Sequence, residues 1–472
     1  MYHDCMDVSL GLRLDREARQ PLSTQIADGI RAAIGDGRLA PGARLPSWND
    51  LAAQLGVARG TVRMAYEALA DAQLVVPSGA AGTRVAKRLP SPRPVPTPAR
   101  ARAAFGTFPS GHTSPLPFQL GVPAADLFPA PLWTRLVAQA ARDTVGSAAD
   151  YPDPGGEAGL RTEVAAYLAM ARGLACQPSQ VFITQGYSGA LGAILRALRV
   201  RGADAWFEEP GYPFARTALG WAGLQAVPVP VDAEGIDIDA GRARAPHAAL
   251  ALVTPGQQAP LGTTMSLERR LALLEWAHAG ERWIIEDDYL GELQLARRAA
   301  PALASMDADR VIHVGTFSKT MSPGLRMGYA VVPRRLVAPM REVVGTLAPA
   351  PAPLLQRAVE RFLHEGHYLR HLRRMKRAYA SRRDALAAAL AGEGHAVEGA
   401  GLALCLPLPE GTNDVALARA AHAAELAPIP LSPWYAGTAS RPGFLLGVTN
   451  VHENAAATLA ARLAALIRGA TG

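Results

Sequence analysis

Residues 314–329, VGTFSKTMSPGLRMGY, set Lys319 beside Ser318 and three positions after Thr316, with Arg326 seven positions further on. A lysine amine can form a covalent bond to an aldehyde carbon, and hydroxyls with a guanidinium fork can grip a phosphate through charge-assisted hydrogen bonds. Three other stretches supply what such a site still needs. IIEDDYLGEL (284–293) is an apolar run that ends in acids. Asp287 can hold a proton on a ring nitrogen and so make the ring a better electron sink, and Tyr289 can reach a ring hydroxyl. EEPGYPFAR (208–216) offers Tyr212 after a Pro-Gly turn, an aromatic face for the ring. ITQGYSGAL (183–191) reads as strand, glycine turn and helix, so Gly186, Tyr187 and Ser188 can present free backbone N–H groups to a phosphate. An aldehyde, a phosphate and a protonated pyridine ring together describe pyridoxal phosphate (PLP).

These residues need a scaffold that brings strand ends together. After residue 118, short apolar runs (QVFIT, DAWFEE, LALVT, WIIEDD, VIHVGT) alternate with helical stretches, and each run ends at polar or glycine positions. Alternating strands and helices predict an α/β fold with a mainly parallel sheet, and ligands in such sheets sit beyond the carboxyl ends of the strands. The expected PLP-binding effector unit is residues 119–472.

Residues 1–86 have a different design. PLSTQIADGIRAAIGDGRL places Ile26, Ile30, Ala33 and Ile34 at helical spacing, with Pro21 suited to the first turn and Gly37 to the stop. LPSWNDLAAQLGV follows, with Ser47 as N-cap and Asp50 three residues later. ARGTVRMAYEALADAQL carries Val62, Ala65, Tyr66 and Leu69 on one face, and LVVPSGAAGTRVA reads as two strands around a glycine-rich tip. Three helices and a hairpin make a winged helix-turn-helix. Its second reading helix begins near Ala58, so Arg59, Thr61 and Arg63 lead into a DNA major groove, while Arg44 is placed for a backbone phosphate.

Between the two lies a segment that cannot pack a core. Residues 87–118 contain eight prolines and five basic residues with no acid. Such a chain is extended at roughly 3.1 Å per residue, so it can span on the order of 100 Å. The formal net charge is +7, yet residues 1–86 balance nine arginines against nine acids, so the basic excess lies mainly in this linker. It acts as a tether, and its charges can also touch DNA. The three cysteines are far apart and show neither disulfide nor metal spacing, so no metal is expected. With no signal-like start and no long apolar run, the expectation is a cytoplasmic protein with no membrane partner.

GARLPSWNDLAAQLGVARGTVRMAYEAL resembles the DNA-binding domain of GntR-type regulators, with Asn49 where an arginine is usual and Ala58 where a serine is usual. GTTMSLERRLALLEWA, WIIEDDY, VGTFSKTMSPGLRMGY and YPDPGGEAGLR resemble the fold type I aminotransferases, and specifically the MocR subfamily, in which such a domain follows a GntR-type winged helix. The resemblance implies a PLP internal aldimine at Lys319, Asp287 at the ring nitrogen and Tyr289 near the ring oxygen. It also implies a homodimer in which Tyr151 reaches the phosphate of the neighbouring subunit's cofactor. Two segments depart from the subfamily. TPGQQAPLG has Gln257 for histidine and Ala259 for phenylalanine, and TQGYSGAL stands where TSGAQQAL is usual. Arg441 reads either as a carboxylate clamp for an effector or as a solvated surface arginine. The expected function is a PLP-dependent transcriptional regulator that binds double-stranded operator DNA and senses PLP or an amine or amino-acid effector. The alternative is a working aminotransferase with an appended DNA-binding unit; the catalytic set leaves transaminase turnover open.

Overall fold

In the small unit the apolar stripes dictate the packing. The computed structural model describes residues 10–79, 82–87, 114–145, 151–295, 300–437 and 441–471. The wing tip Ala80–Ala81 and residues 88–113, most of the linker reading, lie outside them. The chain divides into two units, Met1–Ala101 and Arg102–Gly472. In the first, helices α1 (Leu22–Gly35), α2 (Trp48–Leu55) and α3 (Arg59–Asp71) precede strands β1 (Val75–Pro77) and β2 (Thr83–Val85), which pair antiparallel. Ile26, Ile30, Val62, Tyr66 and Leu69 meet in one core. Burial pushes the Tyr66 phenol well up, and its hydroxyl donates to the Pro46 carbonyl at 2.9 Å.

The two reading helices start differently. The Ser47 hydroxyl accepts from the Asp50 amide at 3.2 Å and caps α2. Ala58, at the same position before α3, has extended backbone and no side-chain cap. A serine fits that backbone and satisfies an orphan amide. We predict that Ala58→Ser stabilises the small unit by about 0.5–2 kcal/mol. Slower amide exchange across residues 59–71 is the check.

The second unit is built on an eight-stranded sheet. Its strands are β3 (Val181–Thr184), β4 (Asp204–Glu209), β5 (Gln225–Asp232), β6 (Gly235–Ile236), β7 (Leu250–Val253), β8 (Trp283–Asp288), β9 (Val311–Thr316) and β10 (Gly328–Val331). They lie in the order β3-β10-β9-β8-β7-β4-β5-β6. β9, β8, β7, β4 and β5 run parallel, while β10 is antiparallel to both neighbours. The continuous apolar runs are buried on both faces. Trp206, Val253, Ile284 and Val311 pack into one layer, and Phe207, Leu252, Ile285 and Ile312 into the other. That is the period of two of a strand covered by helices on each side.

The C-terminal part forms a four-stranded antiparallel sheet, with Glu398–Ala400, Ala403–Pro407, Gly443–Gly447 and Ile429–Pro430 as neighbours in that order. Phe118 bridges to Gly447, and the Gly447 amide donates to the Phe118 carbonyl at 2.9 Å. A Cβ at Gly447 would stand 2.4 Å from the Gln119 carbonyl oxygen, so only glycine lets the 118–121 segment lie this close. That segment carries Gly121 to Lys319.

Candidate functional site

The parallel strands end together at one edge of the sheet. Asp287 on β8 is paired in register with Val314 on β9, and Asp288 with Gly315, so the end of β8 lies beside Thr316 and the turn that carries Lys319. A cavity of about 240 Å³ opens there, lined among others by Asp287, Tyr289, Thr316, Ser318, Lys319 and Arg326. Tyr187, Ser188 and Tyr212 line it too. Gly186 is the first residue of the helix Gly186–Leu198 and lies beside Arg326. Residues far apart in the chain thus converge on one cavity.

Lys319 is partly buried, and its Nζ donates to the Gly121 carbonyl at 3.1 Å. Desolvation lowers its pKa, against the pull of Asp287, which favours the neutral, nucleophilic amine. Gly121 has φ +81°, and a Cβ there would stand 2.5 Å from Nζ. The Ser318 amide donates to the Thr316 hydroxyl at 3.1 Å, and Ser322 holds the Gly324 amide at 3.1 Å, which shapes the turn that ends at Arg326. Thr320 is fixed from behind by the Tyr368 hydroxyl at 3.1 Å and by His371, which touches its carbonyl at 2.9 Å.

Asp287 is buried, and burial raises its carboxyl to about 7. Neighbouring Asp288 and Glu208 push the same way, while the Tyr187 phenol and Lys319 oppose. Its two flanking acids point to the opposite face and have partners of their own. Arg172 Nε donates to Asp288 at 2.8 Å, and Glu286 takes the Leu303 and Ala304 amides and His313 Nδ1 at 2.7, 3.0 and 3.0 Å. Burial alone would raise Glu286, but His313 and those amides hold it low. Among the described residues no arginine or histidine is hydrogen-bonded to Asp287, which suits it to a cationic ring nitrogen.

That difference has a measurable consequence. An aspartate whose folded pKa is raised stays protonated while its unfolded counterpart, with a pKa of about 3.9, ionises. Stability from this group is full below that value and is lost as pH rises to about 7. Asn copies the shape of the protonated acid. We expect cofactor-free Asp287→Asn protein to melt above wild type at pH ~8 and level with it at pH ~4, read by thermal unfolding at both values.

The aromatic residues form a second wall. Tyr187 and Tyr212 meet edge-on with centroids 6.1 Å apart, and Tyr212 also packs against Trp434 at 5.8 Å. Burial pushes Tyr212 up to about 12 and raises Tyr187 and Tyr289 as well. The Tyr187 hydroxyl is buried without a hydrogen-bond partner of normal geometry. A buried phenol beside Asp287, a lysine whose pKa is lowered by desolvation and the Arg326 end next to Gly186 fit a phosphorylated pyridine aldehyde. Lys319 would hold its carbonyl carbon, Asp287 its ring nitrogen, and Ser318 and Arg326 with the start of the Gly186–Leu198 helix its phosphate.

Arg441, read either as a carboxylate clamp or as a surface arginine, is exposed and does not line the cavity, and Tyr151, expected at the neighbouring subunit's cofactor, is fully exposed on this chain. Sequence reasoning missed Glu208. It is buried, accepts from the Thr254 amide and hydroxyl at 3.0 and 2.5 Å, and burial raises it to about 7. It also missed Gly121, Ala400, Leu402 and Leu445, which line the cavity. The signal available for Glu208 was a charge inside an apolar strand.

In the small unit Arg59 and Arg63 are exposed along the start of α3, Thr61 is half-buried, and Ser47 and Arg44 are exposed. Arg44 lies under the wing, where a Cβ at Gly82 would come within 3.1 Å of its guanidinium. Arg63 has only a loose ion pair with Glu67 at 3.5 Å. The surface presented by the start of α3 is therefore cationic.

Known proteins share both halves. Residues 22–85 match the family of bacterial regulatory proteins of the gntR type, and residues 127–428 match aminotransferase class I and II. The chain is 34% identical over 460 residues to the "Probable rhizopine catabolism regulatory protein MocR" of Rhizobium meliloti, covering 93% of this chain and 92% of that protein. It is 31% identical to the HTH-type pyridoxine biosynthesis transcriptional regulator PdxR of Corynebacterium glutamicum, covering 80% and 81%. Among solved structures, LysN, the α-aminoadipate aminotransferase of Thermus thermophilus, superposes with a TM-score of 0.69 at 27% identity, covering 75% of this chain and 92% of that one. That structure is described as complexed with N-(5'-phosphopyridoxyl)-L-leucine. No helix among the described residues is long and apolar enough to cross a membrane.

Proposed function

We propose, from the premise that this chain belongs to the MocR subfamily of GntR-type transcriptional regulators, that it is a PLP-dependent sensor whose occupancy at Lys319 sets its hold on operator DNA. The fold of residues 127–428 is that of PLP-dependent aminotransferases. When bound, PLP supplies an aldehyde carbon that takes up amines. Everything else falls to the chain. Lys319 would provide the amine, Asp287 would retain a proton at the ring nitrogen, Arg326 would neutralise the phosphate with Ser318 hydrogen-bonding it, and Tyr289 would reach the ring oxygen. The observation that carries this reading is the enclosed Lys319 amine, its pKa lowered by desolvation, in one cavity with Asp287.

Sensing requires that the signal bind one arrangement of the protein better than another. The signal is PLP itself, or an amine or amino acid that competes with Lys319 for the cofactor. Two copies as a homodimer, with Tyr151 turned toward the neighbour's cofactor, would carry two reading heads and favour repeated half-sites. The full exposure of the Tyr151 ring supports that part. The test is a gel shift on the DNA upstream of its own and neighbouring genes, at moderate salt, with and without PLP and a panel of amines. The reading expects specific binding whose affinity changes with PLP. Binding indifferent to PLP and to every amine, with rapid repeated cycles between amino acids and oxo-acids, would make it an aminotransferase with an appended head.

A further inference from the structure

Part of the cavity lining has a chemistry that the proposed function does not use. Beside the anchoring residues the cavity is lined by Leu120, Ala259, Ala400, Leu402, Trp434 and Leu445. Most of these belong to one contiguous apolar cluster that joins the 118–121 segment, the 254–262 loop and the C-terminal sheet. The charged groups among the described lining residues are Lys319, Asp287 and Arg326, and each has an assigned task toward the cofactor. Arg441, which the sequence offers as a carboxylate clamp, precedes the strand Gly443–Gly447 and is exposed, while Leu445 of that strand faces the cavity.

We propose that the ligand end of this cavity takes a primary amine with a small apolar body and no carboxylate. The inference rests on PLP being held at Lys319. In an α-amino acid the carboxylate carbon is two bonds from the nitrogen. With its nitrogen near Lys319, that carboxylate would meet a mainly apolar lining with no cation left for it among the lining residues, and an ion buried without a counter-charge is strongly disfavoured. An amine of the same side chain meets the wall with matching surface and gains from its burial. The cavity measures about 240 Å³ and must also hold the cofactor, so the amine is small.

The experiment uses full-length protein loaded with PLP, with loading verified beforehand by borohydride fixation on Lys319. Isothermal titration compares matched pairs: 3-methylbutylamine against L-leucine, and phenethylamine against L-phenylalanine. The expected result is roughly 10- to 100-fold tighter binding of each amine, the ratio that follows from one buried polar group left unpaired. A gel shift with the same ligands should follow the same order. Leu445→Arg should reverse the preference, and the wild-type comparison stands by itself if that variant misfolds. Amino acids binding as tightly as their amines, or neither binding to loaded protein, overturns this inference and leaves the cofactor reading intact. A protein that takes up no PLP overturns both.

Discussion

Lys319→Ala protein should show no cofactor fixed by borohydride and no visible absorption after dialysis, where wild type keeps both. The chain makes this test unusually clean because its lysines are Lys87, Lys319 and Lys376. Lys87 lies at the end of the winged unit and is exposed, and Lys376 belongs to the long helix His367–Gly392. Of the three, Lys319 lines the cavity with Asp287, and desolvation there lowers its pKa and so favours the reactive amine. The grip of Arg326, Ser318 and the start of the Gly186–Leu198 helix on the phosphate survives the substitution. Residual non-covalent binding is therefore expected, weaker by roughly 100-fold, or ~3 kcal/mol. Equilibrium dialysis measures it. A mass shift that persists on a peptide containing Lys87 or Lys376 would sink the assignment. The loss should reach the DNA as well: if occupancy is the signal, the variant behaves at the operator as the cofactor-free wild type does, with or without added PLP.

What the sequence disclosed about this site follows from how local each signal is. The strand β8 was legible because WIIEDD is an apolar run that ends abruptly in acids, and a run buried on both faces needs no alternation. Which acid serves the cavity was legible from spacing with Tyr289. What the neighbours do was not, because Arg172 is 116 residues from Asp288 and the Glu286 partners come from other segments of the chain. β10 was passed over for a similar reason. GYAV follows the lysine turn at once and runs antiparallel between β9 and β3, where the alternating βα pattern predicts no strand. The Gly121 carbonyl that holds Lys319 lies 198 residues away, and its approach depends on Gly447. No local pattern could report a wall assembled from segments so distant. The helices of the winged unit were legible to within a residue or two because caps and stripes are local: Ser47 caps α2, and the apolar spacing in α1 and α3 is the core.

The largest effect expected in the small unit is at Arg59. It is the first residue of α3, exposed, and followed by the exposed Arg63 one turn later. A side chain at the start of a reading helix reaches base edges, and an arginine there pairs with guanine or with phosphate. Arg59→Ala should therefore weaken operator binding by roughly 10- to 100-fold, about 1–3 kcal/mol. The two kinds of contact separate in a salt titration followed by fluorescence anisotropy. If Arg59 reads a base, the variant loses discrimination between operator and scrambled DNA while the salt slope stays the same. If it binds phosphate, both DNAs weaken together and the slope falls by about 1. Arg44, under the wing, should behave in the second way. Arg31 on α1 serves as the control: it is exposed, is paired with Asp28 and belongs to a helix outside the helix-turn-helix, so Arg31→Ala should leave both affinity and slope unchanged. A loss at Arg31 equal to that at Arg59 would mean that diffuse charge, rather than a presented helix, holds the DNA. Because α3 lacks the side-chain cap that Ser47 gives α2, its first turn gains from one, so Ala58→Ser should partly restore binding in an Arg63→Ala background but not where Arg59 itself is gone.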